Sequence, residues 1–290
     1  MEALLKNATR MRTDPEVQAH FHASADLYKR WSPQGHLHFG YWRWPMSPFD
    51  RKAMLDELVR QVASELNPRQ GDRLADLGCG YGAAARLVAR EFDAAVEAIT
   101  IVEEQAIEGQ VAALAAGIDH LVCMRHTDFR QTGLADSSID GAYALESLCY
   151  GTGAAKADVI AEIARIVRPG GRLALVDGFL LKRPTGFRAR MVHTVEHGWA
   201  LPCFPQHDAF IDALDAHGFT DIRVRDLSWN VAPCAAHGPL LMVQGWSERR
   251  LNGTRLNALE QAHLKSCLLG IALGTQRNLF RYLMITARKY

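Results

Sequence analysis

A chain of 290 residues with 48% hydrophobic side chains is long enough for one sizeable core carrying a cap, and a formal net charge of +1 gives it no general pull toward nucleic acid or an anionic membrane. Its six cysteines (Cys79, Cys123, Cys149, Cys203, Cys234, Cys267) form no C-x-x-C pair and no zinc spacing, which points to free thiols in a reducing, cytoplasmic compartment. The charged start, MEALLKNATRMRTDPE, reads as neither secretory signal nor anchor, and no stretch approaches the roughly 18 uninterrupted apolar residues of a bilayer span.

Residues 2–30 read as one or two helices, with Asp14-Pro15 as cap and first-turn pair. The aromatic stretch YKRWSPQGHLHFGYWRWP, Tyr28 to Pro45, is broken by Gly35, Gly40, Pro33 and Pro45 and is expected to be a loop. It suits either a lid over a ligand, with Tyr41 among the ligand contacts, or a cluster packing the N-terminal helices onto the core. Met54, Leu55, Leu58, Val59, Val62 and Leu66 keep helical spacing. Strands then alternate with helices: strand Arg73–Leu77, helix Ala83–Arg90, strand Ala94–Thr100, helix Glu103–Ala116, strands Leu121–Arg125 and Ile139–Leu145, helix Ala155–Val167, strand Arg172–Val176. That rhythm predicts an α/β fold with a parallel sheet covered on both faces and a ligand at the carboxyl ends of the strands. After Leu181 it gives way to helices over 186–217, a strand Phe219–Leu227, long helices over 233–273 and a closing strand Phe280–Arg288. The expected organisation is residues 1–67 as N-terminal helices and lid, 68–182 as the α/β core, and 183–290 as a helical cap with a closing hairpin, all packed as one domain.

The segment around which this is built is RLADLGCGYGAAA, Arg73 to Ala85. A short buried strand breaks into Gly78, Gly80 and Gly82 and passes directly into an Ala-rich helix. Bare backbone there lets a ligand approach closely, and the helix start aims free N–H groups at it. Asp76 precedes the turn; a carboxylate there repels a pyrophosphate and suits the ammonium of an amino-acid moiety. The spacing is G-x-G-x-G, not the dinucleotide G-x-G-x-x-G. DLGCGYG resembles motif I of the class I S-adenosylmethionine-dependent methyltransferases, which implies a Rossmann-like, mostly parallel seven-stranded sheet, here with an N-terminal helical lid and helical cap insertions. It also implies S-adenosylmethionine as cofactor, held near Asp76, Gly78, Cys79 and Gly80.

Further segments carry the resemblance to one branch. ITIVEEQ, Ile99 to Gln105, resembles the "G-I-T-L-S-x-x-Q" segment of cyclopropane fatty-acid synthases, sterol C-methyltransferases and tocopherol methyltransferases, and implies that Thr100 and Gln105 serve the ribose. Asp128-Phe129 matches the place where the family sets an acceptor for the adenine amino group beside an apolar wall; an Asx-type turn is the other reading. ARIVRPGGRLALVD, Ala164 to Asp177, resembles the "R-V-L-K-P-G-G" post-motif, and DLSWNVAP, Asp226 to Pro233, a segment of plant tocopherol methyltransferases. In AYALESLCYG, Ala142 to Gly151, Leu145 is expected beneath the sulfonium end. Glu146 resembles the glutamate of sterol and prenyl-diphosphate C-methyltransferases.

That likeness implies a base at Glu146, with Tyr150 sheltering a carbocation through its ring face; the alternative is that Glu146 only orders the site or pairs with an arginine. The expected reaction is methyl transfer to a small molecule: carbon methylation of an olefinic, isoprenoid-like lipid, or O- or N-methylation of an aromatic natural product. His36, His38, His193, His197 and His207 lack the spacing of a metal site, and no metal is expected. Arg183, Arg188 and Arg190 suit a diphosphate or, more simply, a solvated face. The sequence implies no nucleic-acid partner and leaves oligomerisation open.

Overall fold

The computed structural model describes residues 15–251 and 258–290, so positions 2–14 of the helical stretch expected over 2–30, with the Asp14 cap, lie outside the described residues. In chain order the elements are α1 (Pro15–Trp31), α2 (Arg51–Leu66), β1 (Arg73–Leu77), α3 (Ala83–Phe92), β2 (Ala95–Thr100), α4 (Glu103–Ala115), β3 (Val122–His126), β4 (Ile139–Leu145), a 3-10 turn (Leu148–Tyr150), α5 (Ala157–Ile166), β5 (Val167–Leu180), α6 (Gly186–Gly198), α7 (His207–Ala216), β6 (Phe219–Asp226), α8 (Ser228–Ala235), α9 (His237–Leu251), α10 (Ala258–Gly274) and β7 (Phe280–Lys289).

The strands form one seven-stranded sheet in the order β3-β2-β1-β4-β5-β7-β6. β1 to β5 pair in parallel, and β7 runs antiparallel between β5 and β6. The order reverses direction after β1, so the crevice at the carboxyl ends of β1 and β4 is the switch point where such sheets bind ligands. Central strands are buried on both faces and therefore read as unbroken apolar runs in sequence. Leu58, Val62, Leu74, Ala85 and Tyr143 pack on the face under α2 and α3. Leu77, Ile139, Val159, Ile163, Phe179 and Phe210 pack on the other, under α5 and α7.

β5 differs from the sequence expectation at both ends, running on to Leu180 rather than stopping at Val176. β5 starts at Val167 rather than Arg172: Val167 pairs with Ile139, the register shifts, and pairing resumes at Arg172 opposite Gly141. Pro169-Gly170-Gly171 is therefore a bulge inside a long strand, with the missing proline N–H at the irregular position. The aromatic stretch is also not all loop, since Tyr28 to Trp31 form the last turn of α1. Among the described residues no helix is long and apolar enough to cross a membrane.

Candidate active site

A cavity of about 470 Å³ opens at the carboxyl ends of β1, β2, β4 and β5 and runs beneath α1, α8 and α10. One end is bounded by Gly78, Gly80, Thr100, Gln105, Asp128 and Phe129. The other is bounded by Phe21, Tyr28, Trp199, Phe204, His263 and Leu273. Leu145 and Glu146, at the end of β4 beside β1, also line the cavity, as do Asp177 and Tyr150, whose ring lies 5.7 Å from that of Phe21.

The glycine turn forms the floor of the first end. The N–H groups of Gly78 and Cys79 both donate to Ile99 O, at 2.9 and 2.8 Å, which locks the turn to β2. Gly78 has φ +85°, and a Cβ there would lie 2.3 Å from Ser147 Cβ; at Gly80, with φ +54°, it would lie 2.6 Å from Leu37 Cδ1. Only glycine supplies both the left-handed backbone and the close approach, so the turn lies bare against Ser147 and Leu37 and presents its backbone to the cavity. Beside it the Thr100 hydroxyl donates to Gln105 Oε1 at 2.8 Å. That bond fixes the Gln105 carbonyl and leaves its amide N–H₂ with no partner among the described hydrogen bonds, in keeping with a donor for a ribose hydroxyl.

Asp128 is placed otherwise than a free adenine acceptor would be. Its Oδ1 takes the backbone N–H of Arg130 at 2.8 Å, an Asx turn, and both carboxylate oxygens are engaged by the Arg130 guanidinium at 2.6 to 3.0 Å. Phe129 stands next to Gly78 and lines the cavity.

Three of the expected cofactor contacts do not line the cavity. Strand alternation turns Asp76 to the same face as Leu74, beneath α2 and α3, where it is 1% exposed. Burial pushes its carboxyl up to about 7; the nearby Tyr143 hydroxyl offsets this only in part, and Asp76 Oδ2 and Tyr143 Oη each lack a hydrogen-bond partner. Asp76 thus stands behind the turn and outside the cavity lining, its Oδ2 buried without a described hydrogen-bond partner. Cys79 packs against the same core, and burial raises its thiol well above the usual range. Tyr41 also belongs to that core: its N–H donates to Met54 O at 2.8 Å, which lays the strap onto α2. The aromatic stretch is therefore divided between the two places. Tyr28, Trp31, Leu37, His38 and Phe39 face the cavity, while Tyr41 and Trp42 pack on the body of the protein.

Glu146 has an unusual backbone, φ +54°, a region costly for a residue with a Cβ and concentrated at functional sites. Its N–H still donates to Val176 O at 2.8 Å, so the left-handed turn re-aims the side chain without losing the sheet bond. Its Oε1 accepts from Tyr282 Oη at 2.6 Å and from Phe39 N at 2.5 Å, and no described group donates to Oε2. Burial, reinforced by the negative charge of Asp177, pushes this carboxyl up to about 8 against those two donors. Asp177 accepts from Cys149 N at 2.9 Å and Gly178 N at 2.7 Å, and burial holds it at about 6. Tyr150 lines the cavity and is fixed by a hydroxyl bond to Trp199 O at 3.1 Å.

Tyr282 and Asp177 carried no sequence signal of their own. Tyr282 lies 136 positions from Glu146 in a strand whose pattern reports only burial, and Asp177 ends a run read as structural. Glu97 is tied to Arg73 and Arg125 outside the cavity. Arg183, Arg188 and Arg190 are exposed and away from the cavity lining, which favours the solvated face. His193 and His197 are exposed, and among the described residues no group of three or more His, Cys, Asp or Glu side chains is placed to hold a metal ion.

A family model described as "Methyltransferase domain" matches residues 75–175, the stretch from β1 into β5. Over 289 residues the chain is 31% identical to 27-O-demethylrifamycin SV methyltransferase of Amycolatopsis mediterranei, covering 96% of this chain and 98% of that one. It is 30% identical over 171 residues to 24-methylenesterol C-methyltransferase 2 of Oryza sativa subsp. japonica, covering 58% of this chain and 47% of the other. Among solved structures, the cyclopropane synthase MmaA2 of Mycobacterium tuberculosis superposes with a TM-score of 0.84 at 19% identity, over 97% of this chain and all of that one, and shares the fold. The reversed sheet, the glycine cradle at its switch point and a near full-length relative together make the chain a member of the class I S-adenosylmethionine-dependent methyltransferases.

Proposed function

We propose that this enzyme transfers a methyl group from S-adenosylmethionine to a hydroxyl oxygen of a bulky, mainly apolar small molecule, with Glu146 accepting the hydroxyl proton. The cofactor, when bound, supplies an electrophilic methyl on a sulfonium. The residues that would hold it are Gly78 and Gly80 along its amino-acid portion, Thr100 and Gln105 at the ribose, and Phe129 against the adenine. The unpaired Asp76 carboxyl contributes negative charge from behind the turn. Leu145 and Glu146 flank the point where the two ends of the cavity meet.

The observation that carries the reading is the Glu146 carboxyl, buried between donor end and acceptor end and poised at about 8. A base is most effective when its pKa lies near the working pH, and removing a proton from a hydroxyl needs such a base. A carbocation sheds its proton to almost any weak base, so a tuned carboxyl is less necessary for olefin methylation. A sulfonium nearby favours the ionised form of Glu146, which gives the base its charge when donor is present. The near full-length relative is named for an O-demethylated substrate, in line with this reading. Carbon methylation is the second reading, favoured by Tyr28, Tyr150, Phe21 and Trp199 around the acceptor end, whose ring faces would stabilise a cation. In either case the protein's work is alignment and exclusion of water. Turnover of methyl-labelled S-adenosylmethionine with paired acceptors, each hydroxylated compound beside its deoxy, olefinic counterpart, tests it. Label is expected in the hydroxylated members as an alkali-stable ether; label on carbon in the olefins alone would replace it with the second reading.

A further inference from the structure

The strap between α1 and α2 carries two buried histidines, His36 and His38, 3% and 5% exposed. They form a row. His36 Nε2 lies 3.1 Å from Asp56 Oδ1 on α2, His36 Nδ1 lies 3.1 Å from His38 Nε2, and His38 Nδ1 lies 2.7 Å from Phe39 O. Both ends of the row, a carboxylate and a carbonyl, can only accept. Three contacts need three protons, and two neutral imidazoles carry two. With two, one contact would set lone pair against lone pair between two buried rings, at the cost of an unsatisfied buried polar group.

We propose that His36 and His38 together hold three protons at neutral pH, and that the resulting buried imidazolium is a positioning element that clamps Phe39 and so holds the Glu146 carboxyl in place. The second half rests on the reading of Glu146 as the working carboxylate; the first does not. The charge belongs on His36. Asp56 faces it and is itself held at about 2 by His36 and by Lys52, whose Nζ is 2.6 Å from Oδ2, so it stays an acceptor. His38 is pushed down to about 3 by burial and by the His36 charge. The remaining neighbours are neutral: Ser32 Oγ accepts His36 N, and Trp31 Nε1 donates to His38 O. Phe39 is then held on both sides, its carbonyl by His38 and its N–H on Glu146 Oε1. His38 itself lines the cavity.

The test uses the full chain labelled with ¹⁵N-histidine, without cofactor or acceptor. One ring, lost in His36→Gln, is expected to show two protonated nitrogens up to pH 8, where exposed histidines are neutral. Asp56→Asn separates the charge from the packing, because its amide N–H₂ can supply the third hydrogen to a neutral His36. In that variant the imidazolium signature should vanish at pH 7 to 8. In His38→Leu, which removes the donor to Phe39 O, the ¹³C carboxyl titration assigned by its loss in Glu146→Gln should move to higher pH. Two neutral rings in the wild type at pH 7 to 8, or an imidazolium that survives Asp56→Asn, would overturn the three-proton pair; an unmoved Glu146 titration would overturn its link to the site. Failure of methyl transfer would touch neither reading of the histidine spectra.

Discussion

At Glu146 three separate features meet: a left-handed backbone, two donors on one oxygen, and burial that raises the carboxyl to about 8. Replacing it with glutamine keeps the shape and both hydrogen bonds while removing the base, so methyl transfer should fall by roughly 10²- to 10⁴-fold with cofactor affinity nearly unchanged. On the proposed reading the ionised form is the active one, so kcat/KM measured from free enzyme should rise with pH and level off above about 8. The rising limb of kcat at saturating donor should lie lower, since the sulfonium favours the carboxylate. Glu146 was legible in sequence because its strand-end position and the E-S-L-C-Y string coincide. The partner that holds it was not, because Tyr282 meets it only through a strand pairing between β5 and β7 that no local pattern encodes. Asp76 was legible through its charge and the resemblance of DLGCGYG to motif I; its facing was not, because the pleat of β1 turns it to the face of Leu74.

Among the elements, the wall between core and cap depends on one lysine. Lys156, wholly buried at the start of α5, donates to Cys149 O at 2.9 Å, Gly151 O at 2.8 Å and Cys203 O at 2.7 Å. It ties the 3-10 turn carrying Tyr150 to the loop before α7. Lys156→Met should lower unfolding stability by roughly 3 kcal/mol, about 1 kcal/mol or more for each carbonyl left without a donor, measured by urea denaturation. Sequence rhythm found every strand, since apolar runs bounded by turn residues survive in any context. It ended β5 too early and began it too late, because glycine and proline within a strand look like its end until the partner's register shows a bulge. The division of the aromatic stretch into cavity wall and core packing was likewise hidden, as both roles use the same side chains.

Over the whole molecule, Asp76, Asp177 and Glu146 form a buried acidic set held at about 7, 6 and 8. Each lies above its unfolded value of about 4. The folded state therefore binds more protons than the unfolded state between these limits. The stability that this contributes is complete below about pH 4 and is lost as pH rises through 6 to 8. The melting temperature of the ligand-free protein should accordingly fall between pH 7 and 8.5, above the range in which His20, His38 and His263, held neutral by burial, act in the opposite sense. S-adenosylmethionine, with its ammonium and sulfonium, should restore more at pH 8.5 than at 5.5, and more than S-adenosylhomocysteine, which lacks the sulfonium charge. The central claim is that the donor lies in the cradle of Gly78 and Gly80, with Glu146 beyond its reacting end. Calorimetric titration of S-adenosylmethionine into the wild type, Gly78→Val and Glu146→Gln tests it most directly, with circular dichroism verifying that each is folded. Saturable one-to-one binding to the wild type and Glu146→Gln, and its loss in folded Gly78→Val, is the predicted result; undiminished binding to Gly78→Val, or none to the wild type, would contradict it.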